Sequence, residues 1–457
     1  MSLPTGFSSS TEYFLEILKF LEKYSWIYTT ANTCFIKEDV INKFPQEWIN
    51  YFLNISENNL NFFPENLNTD NPPNSLKEFQ LKISSLKADI EKFRTEKIIN
   101  NSLNFKKVNV KKVHEITALA NLILDNCREI DIFVDFGSGL GYLSECLYRL
   151  NNESKVLGLE SDPDRILTAT KRIKEYYPNA IGNIYFQNHY ITESSDIFIK
   201  NCIEENFPKL KNPKICIIGL HSCADLAIVS INIFLLNPQI RKLIMMPCCY
   251  HKLTISNNLN KDANILFNNF PLSNCFKDQA ANFQFSNFLN RPFLRLACQQ
   301  TASRWRVMDN LEHLNHGEEM FVRGILETIR NENEVITKKK NKSTKTSYFD
   351  INVNKIKSIY EIQLKSNGIV LEWTKERELQ VQKMLAKFPN GGKIAEALTC
   401  LQTSMQGICE NLILYDRICY INEQSQMKDL NINSRYQKIL DDKLSPRCFV
   451  LMSSKNS

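Results

Sequence analysis

The stretch Val134-Asp135-Phe136-Gly137-Ser138-Gly139-Leu140-Gly141 (VDFGSGLG) follows an apolar run from Ile132 and opens into a helical pattern over Tyr142–Leu150. The chain has 13 glycines in 457 residues, and three of them stand here within five positions, although soluble proteins average ~7% glycine. Gly137 and Gly139 let the backbone turn tightly and approach a ligand closely, where a Cβ would obstruct both. Gly141 relieves crowding where helix meets sheet. The helix start beyond it offers unpaired N–H groups and a partial positive charge. A strand, a glycine turn and a helix in this order suit a nucleotide-like ligand at a sheet edge.

Outward from this turn the chain alternates apolar strand, turn and helix. Strands are expected at Ile132–Asp135, Lys155–Glu160, Asn183–Gln187, Ile215–Leu220 and Leu243–Met246, with helices at Tyr142–Leu150, Pro163–Tyr177, Ser194–Glu205 and Ala224–Leu235. Five strands in βα alternation predict an α/β fold, a doubly wound parallel sheet with right-handed crossovers. Two short strands, Tyr436–Leu440 and Cys448–Met452, are expected to close that sheet as a hairpin, which makes about 255–390 a largely helical insertion. Within it, helices are expected at Val353–Lys365 and Thr374–Lys387, and a long one at Lys393–Tyr420 bridges to the hairpin. The run Lys338–Lys345 holds five lysines and reads as a solvated linker over 338–347.

Residues 1–105 read as a helical N-terminal region, with apolar stripes at Phe14, Leu15, Ile17, Leu18 and Leu21 and at Val40, Ile41, Phe44 and Trp48. A helix is expected over Leu76–Ile99, and another over Lys111–Cys127. The segment Asn68–Asn74 (NTDNPPN) reads as a loop. Its NPP lacks a preceding strand and a following aromatic, so it is not read as a nucleobase-methylating tetrapeptide.

Composition narrows the classes. The chain is 43% hydrophobic and 11% aromatic, enough for a buried core and against wholesale disorder. Its net charge of +6 is too mild to mark a nucleic-acid binder by itself. No apolar run reaches the ~18–20 residues of a membrane helix, and the first residues lack the pattern of a secretory signal. Fourteen scattered cysteines fit reduced thiols. Together these predict a soluble protein of the cytoplasm or nucleus with no membrane association.

Asp135 decides between ligands. An acidic side chain two residues before the first glycine repels the pyrophosphate of a dinucleotide and suits a cationic ligand carrying an amino-acid group. The spacing is GxGxG rather than GxGxxG. Glu160 ends the next strand, where a carboxylate accepts bonds from ribose hydroxyls. Asp135, Gly137, Gly139, Gly141 and Glu160 therefore point to S-adenosyl-L-methionine rather than NAD.

In open α/β sheets, ligands bind beyond the carboxyl ends of the strands. The fourth strand ends in GLHSCADLA (Gly219–Ala227), which makes His221 and Asp225 the catalytic candidates; Asp225 could equally cap the next helix. Cys223 and the fifth strand's Cys248, Cys249, Tyr250 and His251 are expected on the substrate rim. Zinc is not expected there, because adjacent cysteines chelate poorly and no CxxC pair completes four ligands. Asn188 and His189 follow the third strand, near the place of an adenine ring. His313 and His316, on a polar helical stretch, read as surface residues.

These segments resemble a known family, methyltransferase-like protein 25, also described as ribosomal RNA adenine dimethylase domain-containing. The resemblance runs through KKVHEI (Lys111–Ile116), VDFGSGLGYLS (Val134–Ser144), GLHSCADL (Gly219–Leu226), CCYHKL (Cys248–Leu253), LRLACQ (Leu294–Gln299) and LSPRCFVL (Leu444–Leu451). It implies a class I methyltransferase fold over 106–457 and S-adenosyl-L-methionine as cofactor. It also implies a relationship to a tRNA-methylating enzyme with a similar His-Cys-Asp signature. The reading is therefore an S-adenosylmethionine-dependent methyltransferase with RNA as a candidate acceptor; the alternative is an inactive scaffold on the same fold. An Asn-Pro-Pro-Tyr type signature is absent after the fourth strand, where His221-Ser222-Cys223 stands, which argues against N6-adenine chemistry.

Overall fold

In the computed structural model, strands β1 (Ile132–Phe136) and β2 (Val156–Glu160) are buried at every position. Near-continuous apolar runs of this kind belong to parallel strands covered on both faces. They pair in parallel with each other, β2 with β3 (Ile184–Asn188), β1 with β4 (Ile215–Cys223) and β4 with β5 (Ile240–Cys248). The hairpin β6 (Ile432–Lys438) and β7 (Phe449–Lys455) is antiparallel, and β7 lies antiparallel against β5. The order is β3-β2-β1-β4-β5-β7-β6, with the two-residue strand Glu91–Lys92 added parallel to β6. This mixed sheet, with its switch point between β1 and β4, is the class I, Rossmann-like arrangement expected from the sequence, closing hairpin included.

The structure describes residues 3–88, 90–92, 108–256, 266–339 and 350–456. Two compact units emerge, one formed by Met1–Glu16, Ala88–Ser286 and Glu410–Ser457, the other by Ile17–Lys87 and Asn287–Cys409. The boundary expected near 105 and most of the lysine linker, 340–347, lie outside the described residues.

In the first unit the crossover helices are α2 (Tyr142–Leu150), α3 (Pro163–Tyr176), α4 (Ser195–Asn206) and α5 (Asp225–Leu236), preceded by α1 (Val110–Asn126). Asn109 caps α1, its side chain accepting the Lys112 N–H at 2.8 Å. The inward face of α1, with Ile116, Leu119, Leu122 and Ile123, packs with Phe133, Cys216, Ile244 and Val450 from the strands. Each such fully buried aliphatic contributes roughly 1.5–3 kcal/mol. Strands β4 and β5 are nine residues each, longer than the sequence suggested. Polar Arg241 and Lys242 masked the start of β5, and a register shift between Gly219 and Ser222 carries β4 past the point where its apolar run stops.

The second unit has an aromatic core in which Trp48, Tyr24 and Phe79 rings meet. The helix expected over Leu76–Ile99 ends at Leu86. The helix expected over Val353–Lys365 ends at Ile359, and Tyr360–Leu364 is a strand between Glu334–Lys338 and Val370–Leu371. Tyr360 and Ile362 are both buried, so the alternation there has period two, which the preceding helical pattern obscured. His313 corrects a further expectation. It is 5% exposed, its Nδ1 meeting Glu396 Oε1 at 2.5 Å and its Nε2 meeting Asn61 Oδ1 at 2.6 Å. Among the described residues no helix is long and apolar enough to cross a membrane.

Candidate active site

Asp135, near the end of β1, is 1% exposed and accepts a hydrogen bond from Ser144 Oγ at 3.0 Å. Burial pushes its carboxyl up to about 7, against the Ser144 bond and with the help of the Glu160 charge. A group in this state gains from a cationic ligand, which offsets the desolvation of the carboxylate.

The turn after it is built by three left-handed glycines, Gly137 (φ 72), Gly139 (φ 57) and Gly141 (φ 74). A Cβ on Gly141 would lie 2.6 Å from Phe186 Cζ, whereas one on Gly139 would meet nothing closer than 4.0 Å. Gly141 is thus required by packing, and Gly139 by conformation and by the open space it keeps. Gly139 donates its N–H to Glu160 Oε2 at 3.0 Å, while Glu160 Oε1 accepts the N–H groups of Ser161 and Asp162. A carboxylate has about four acceptor sites, so Oε2 keeps one for a ligand. Ser138 Oγ, buried in the turn, has no hydrogen-bond partner among the described residues.

Arg172 of α3, which the sequence did not single out, braces this turn. Its Nη1 donates to the Leu140 carbonyl at 2.7 Å, and its guanidinium pairs with Glu145 and lies 3.9 Å over the Tyr142 ring. Asn188 and His189 also attach to this corner: Asn188 Nδ2 and the His189 N–H both donate to the Glu160 carbonyl. The His189 ring stacks on Phe198 at 3.9 Å and its Nε2 meets Ser195 Oγ at 2.7 Å. Burial lowers its pKa from the ordinary value.

Across the switch point, β4 bulges between Gly219 and Ser222, and His221 takes a left-handed conformation with φ 62. Bulges near strand ends re-aim side chains, and here the ring meets α1. His221 Nε2 lies 3.0 Å from Glu115 Oε2, and Ser445 Oγ donates to Glu115 Oε1 at 2.6 Å. Burial works to raise the Glu115 carboxyl, but the bonds from His221 and Ser445 and the His221 and Lys111 charges outweigh it and hold it below its ordinary value. Glu115 is 2% exposed. In sequence a lone Glu on an amphipathic helix looks like a solvated face. Its place among apolar Ile116, Leu119 and Ile123 was the available signal.

Asp225 sits differently from the expectation of a catalytic carboxylate. Its Oδ2 accepts the N–H and hydroxyl of Thr254, at 3.0 and 2.8 Å, and its Oδ1 accepts Asn269 Nδ2 at 2.7 Å. It ties the start of α5 to the chain beyond β5. Nor does it cap α5, whose N-cap is Ala224. Tyr250, expected on the substrate rim, is fully buried and donates its hydroxyl to Glu410 Oε1 at 3.1 Å. Arg447 pairs with the same oxygen at 2.6 Å. His251 is partly exposed beside it.

Three rim cysteines do come together. The sulfurs of Cys223, Cys248 and Cys249 all lie within 4.8 Å of one another, with 3.1 Å between the first two and 3.6 Å between the last two. Hydrogen bonds from Cys223 and Cys248 hold the Cys249 thiol well below the usual range, while the same contacts and burial push Cys248 up.

The comparisons cover this region. A family model described as a methyltransferase domain matches residues 111–256, which include Glu115, the glycine turn, Glu160, His221 and the three cysteines. Probable methyltransferase-like protein 25 of Homo sapiens is 26% identical over 249 residues, 52% of this chain and 36% of that protein. The Mus musculus protein of the same name is 25% identical over 248 residues, 52% and 37%. The chain thus spans little more than a third of the length of these curated relatives. Two solved structures align over most of the chain at low similarity. The plantazolicin methyltransferase BpumL in complex with SAH is 9% identical, with 90% of this chain and 98% of that one covered and a TM-score of 0.20. Coclaurine N-methyltransferase bound to N-methylheliamine and SAH is 10% identical, with 97% and 99% covered and a TM-score of 0.23. At that similarity the fold assignment rests on the sheet order and the domain match, not on these two structures. Residues 111–256 are thus similar to a methyltransferase domain, and about half of the chain is similar to probable methyltransferase-like protein 25.

Proposed function

We propose that this chain is an S-adenosylmethionine-dependent methyltransferase whose cofactor lies on the turn Gly137–Gly141. The observation that carries the reading is the pairing of two buried carboxylates across that turn: Asp135 at its entrance and Glu160, whose Oε2 holds the Gly139 N–H and keeps a site open. The residues fit the cofactor chemically. Asp135 suits the ammonium of its amino-acid part, Glu160 the ribose hydroxyls, and the unpartnered Ser138 Oγ a further polar group. When bound, S-adenosylmethionine supplies a methyl group already activated on a sulfonium.

The protein's own part is then positioning and proton removal. His221 Nε2 faces the Glu115 carboxylate, so the neutral ring carries its proton there and presents Nδ1 as the acceptor. Glu115 fixes the tautomer and stabilises the protonated ring, and Ser445 fixes Glu115. Asp225 serves as an anchor for the chain at Thr254 and Asn269. RNA is the acceptor class to test first, because Lys111 and Lys112 open α1 beside this site.

Calorimetry with S-adenosylmethionine on the purified chain tests the cofactor half; a folded chain with no binding heat would refute it. Incubating cellular RNA, protein and small-molecule fractions with methyl-labelled cofactor tests the rest. Labelled RNA that disappears with His221→Ala supports the full reading. Binding without transfer to any fraction would favour a non-catalytic module on the same fold.

A further inference from the structure

We propose that Cys223, Cys248 and Cys249 form a three-thiolate site for Zn²⁺. Two neighbouring cysteines in one strand point to opposite faces, which is why the sequence alone argues against chelation. The backbone removes that obstacle. Cys248 ends β5 in register with Cys223 at the end of β4, and in-register neighbours of paired strands share a face. Cys249 then takes a left-handed conformation with φ 53, and its sulfur returns to 3.6 Å from that of Cys248.

The corner is held in this shape. Ala224, also left-handed at φ 48, donates its N–H to the Cys248 carbonyl at 3.1 Å and locks the two strand ends together. Among the described residues this is the only group of three potential ligand side chains that converges within ligand range. Thiolates sharing one zinc at ~2.3 Å stand ~3.8 Å apart. The observed separations of 3.1 and 3.6 Å, with the third pair inside 4.8 Å, need only small rotations to reach that value.

Soft thiolate sets select Zn²⁺ or Cu⁺ over hard cations such as Mg²⁺. Each ligating thiol gives its proton to water as the metal–sulfur bond forms. Three protein ligands leave the fourth tetrahedral position open, as in zinc sites that take water or a substrate atom. Cys248 is buried while Cys223 and Cys249 are partly exposed, which allows an ion to enter from solvent. Zinc binding here stands apart from the cofactor reading, and neither depends on the other.

The test uses the full chain, reduced and stripped with a chelator, and titrated with Co²⁺, Zn²⁺ and Cu⁺ separately. Expected are a thiolate-to-cobalt charge-transfer band, its loss when Zn²⁺ displaces Co²⁺, and about one zinc per chain by elemental mass spectrometry. A chain carrying both Cys223→Ser and Cys249→Ser, checked for folding by circular dichroism, should bind zinc at least about tenfold more weakly. Cys34→Ser, in the other unit, should leave zinc uptake unchanged. No thiolate-to-cobalt band in the folded wild-type chain would overturn the proposal without any variant. So would undiminished zinc uptake in the double variant, or uptake of Cu⁺ with none of Zn²⁺. Recovery of a Cys223–Cys248 disulfide from a chain that binds no metal when reduced would assign a redox pair instead, and also overturn it.

Discussion

Gly139 and Glu160, 21 residues apart in the chain, are joined by a 3.0 Å bond from the glycine N–H to the carboxylate Oε2. The bond sets the glycine turn after β1 against the end of β2. One carboxylate thereby shapes the turn, and under the proposed function it also serves the cofactor. The geometry separates the roles of the three glycines, and of the groups around them, into measurable effects.

Gly139→Ala and Gly141→Ala should differ in kind. Both positions are left-handed, which costs a non-glycine residue about 1–2 kcal/mol. At Gly139 the new methyl has room, so folding should survive while S-adenosylmethionine affinity falls by tenfold or more. At Gly141 it would press on Phe186 at 2.6 Å, and a further loss of about 1–3 kcal/mol in stability is expected. Thermal melts beside calorimetry would show this, and equal melting temperatures for the two variants would contradict it.

Asp135 sets a pH dependence. Its carboxyl is pushed up to about 7 in the folded chain from an ordinary 3.8, so the folded state holds this proton more tightly than the unfolded one. The stability it contributes is full below about pH 4 and is lost as pH rises through about 7. Asp135→Asn should therefore stabilise the chain at pH 8 by roughly 1–4 kcal/mol while abolishing cofactor binding. In the wild type, affinity should weaken by up to about tenfold per pH unit below 7, because the cationic ligand needs the ionised form. Affinity that is flat from pH 5.5 to 8 would rule out this role for Asp135.

Glu115→Gln tests the positioning of His221. The substitution keeps a side chain of similar size but removes the charge that stabilises a protonated ring. Cofactor affinity should stay within about twofold, since the hydrogen bonds of Glu115 run to His221 and Ser445. The turnover rate should drop by about 10²–10⁴-fold, the range of general acid–base catalysis, and its pH profile should shift. A stability loss with an unshifted profile would reduce the pair to a structural contact.

In the second unit, Glu396 is shared by two histidines, with His316 Nδ1 at 2.5 Å from Oε2 and His313 on Oε1. Burial works against the protonated form of His316, but the bond and charge of Glu396, with Glu319, outweigh it and hold its pKa above the ordinary 6.5. Stability from this pair is complete below about pH 6.5 and disappears as pH rises through the higher folded value. Glu396→Gln should thus lower the melting temperature more at pH 5.5 than at pH 8.5, and the reverse order would exclude the ion pair as its cause.

The sequence by itself determined the sheet and the turn. Parallel strands buried on both faces are apolar along most of their length, so β1 and β2 appear as short hydrophobic runs interrupted only by Asp135 and Glu160, and the left-handed backbone at 137, 139 and 141 admits little but glycine. Asp135 and Glu160 were legible because their positions relative to that turn are fixed by local chain geometry. The closing hairpin was legible as two late, short strand candidates, in keeping with the class I fold that the family resemblance implies.

Only the tertiary structure decided which side chains meet across distant segments. Glu115 and His221 are 106 residues apart and Glu115 and Ser445 are 330 apart. The first pairing depends on a bulge in β4 that no periodicity announces. From their strand ends Asp225 looked catalytic and Tyr250 looked like a rim residue, and packing turned them to Thr254, Asn269 and Glu410. Cys249 joins Cys223 and Cys248 because one residue takes a left-handed turn at a non-glycine position. Burial and long-range hydrogen bonds determine such conformations, and they exist only after the strands have been brought side by side.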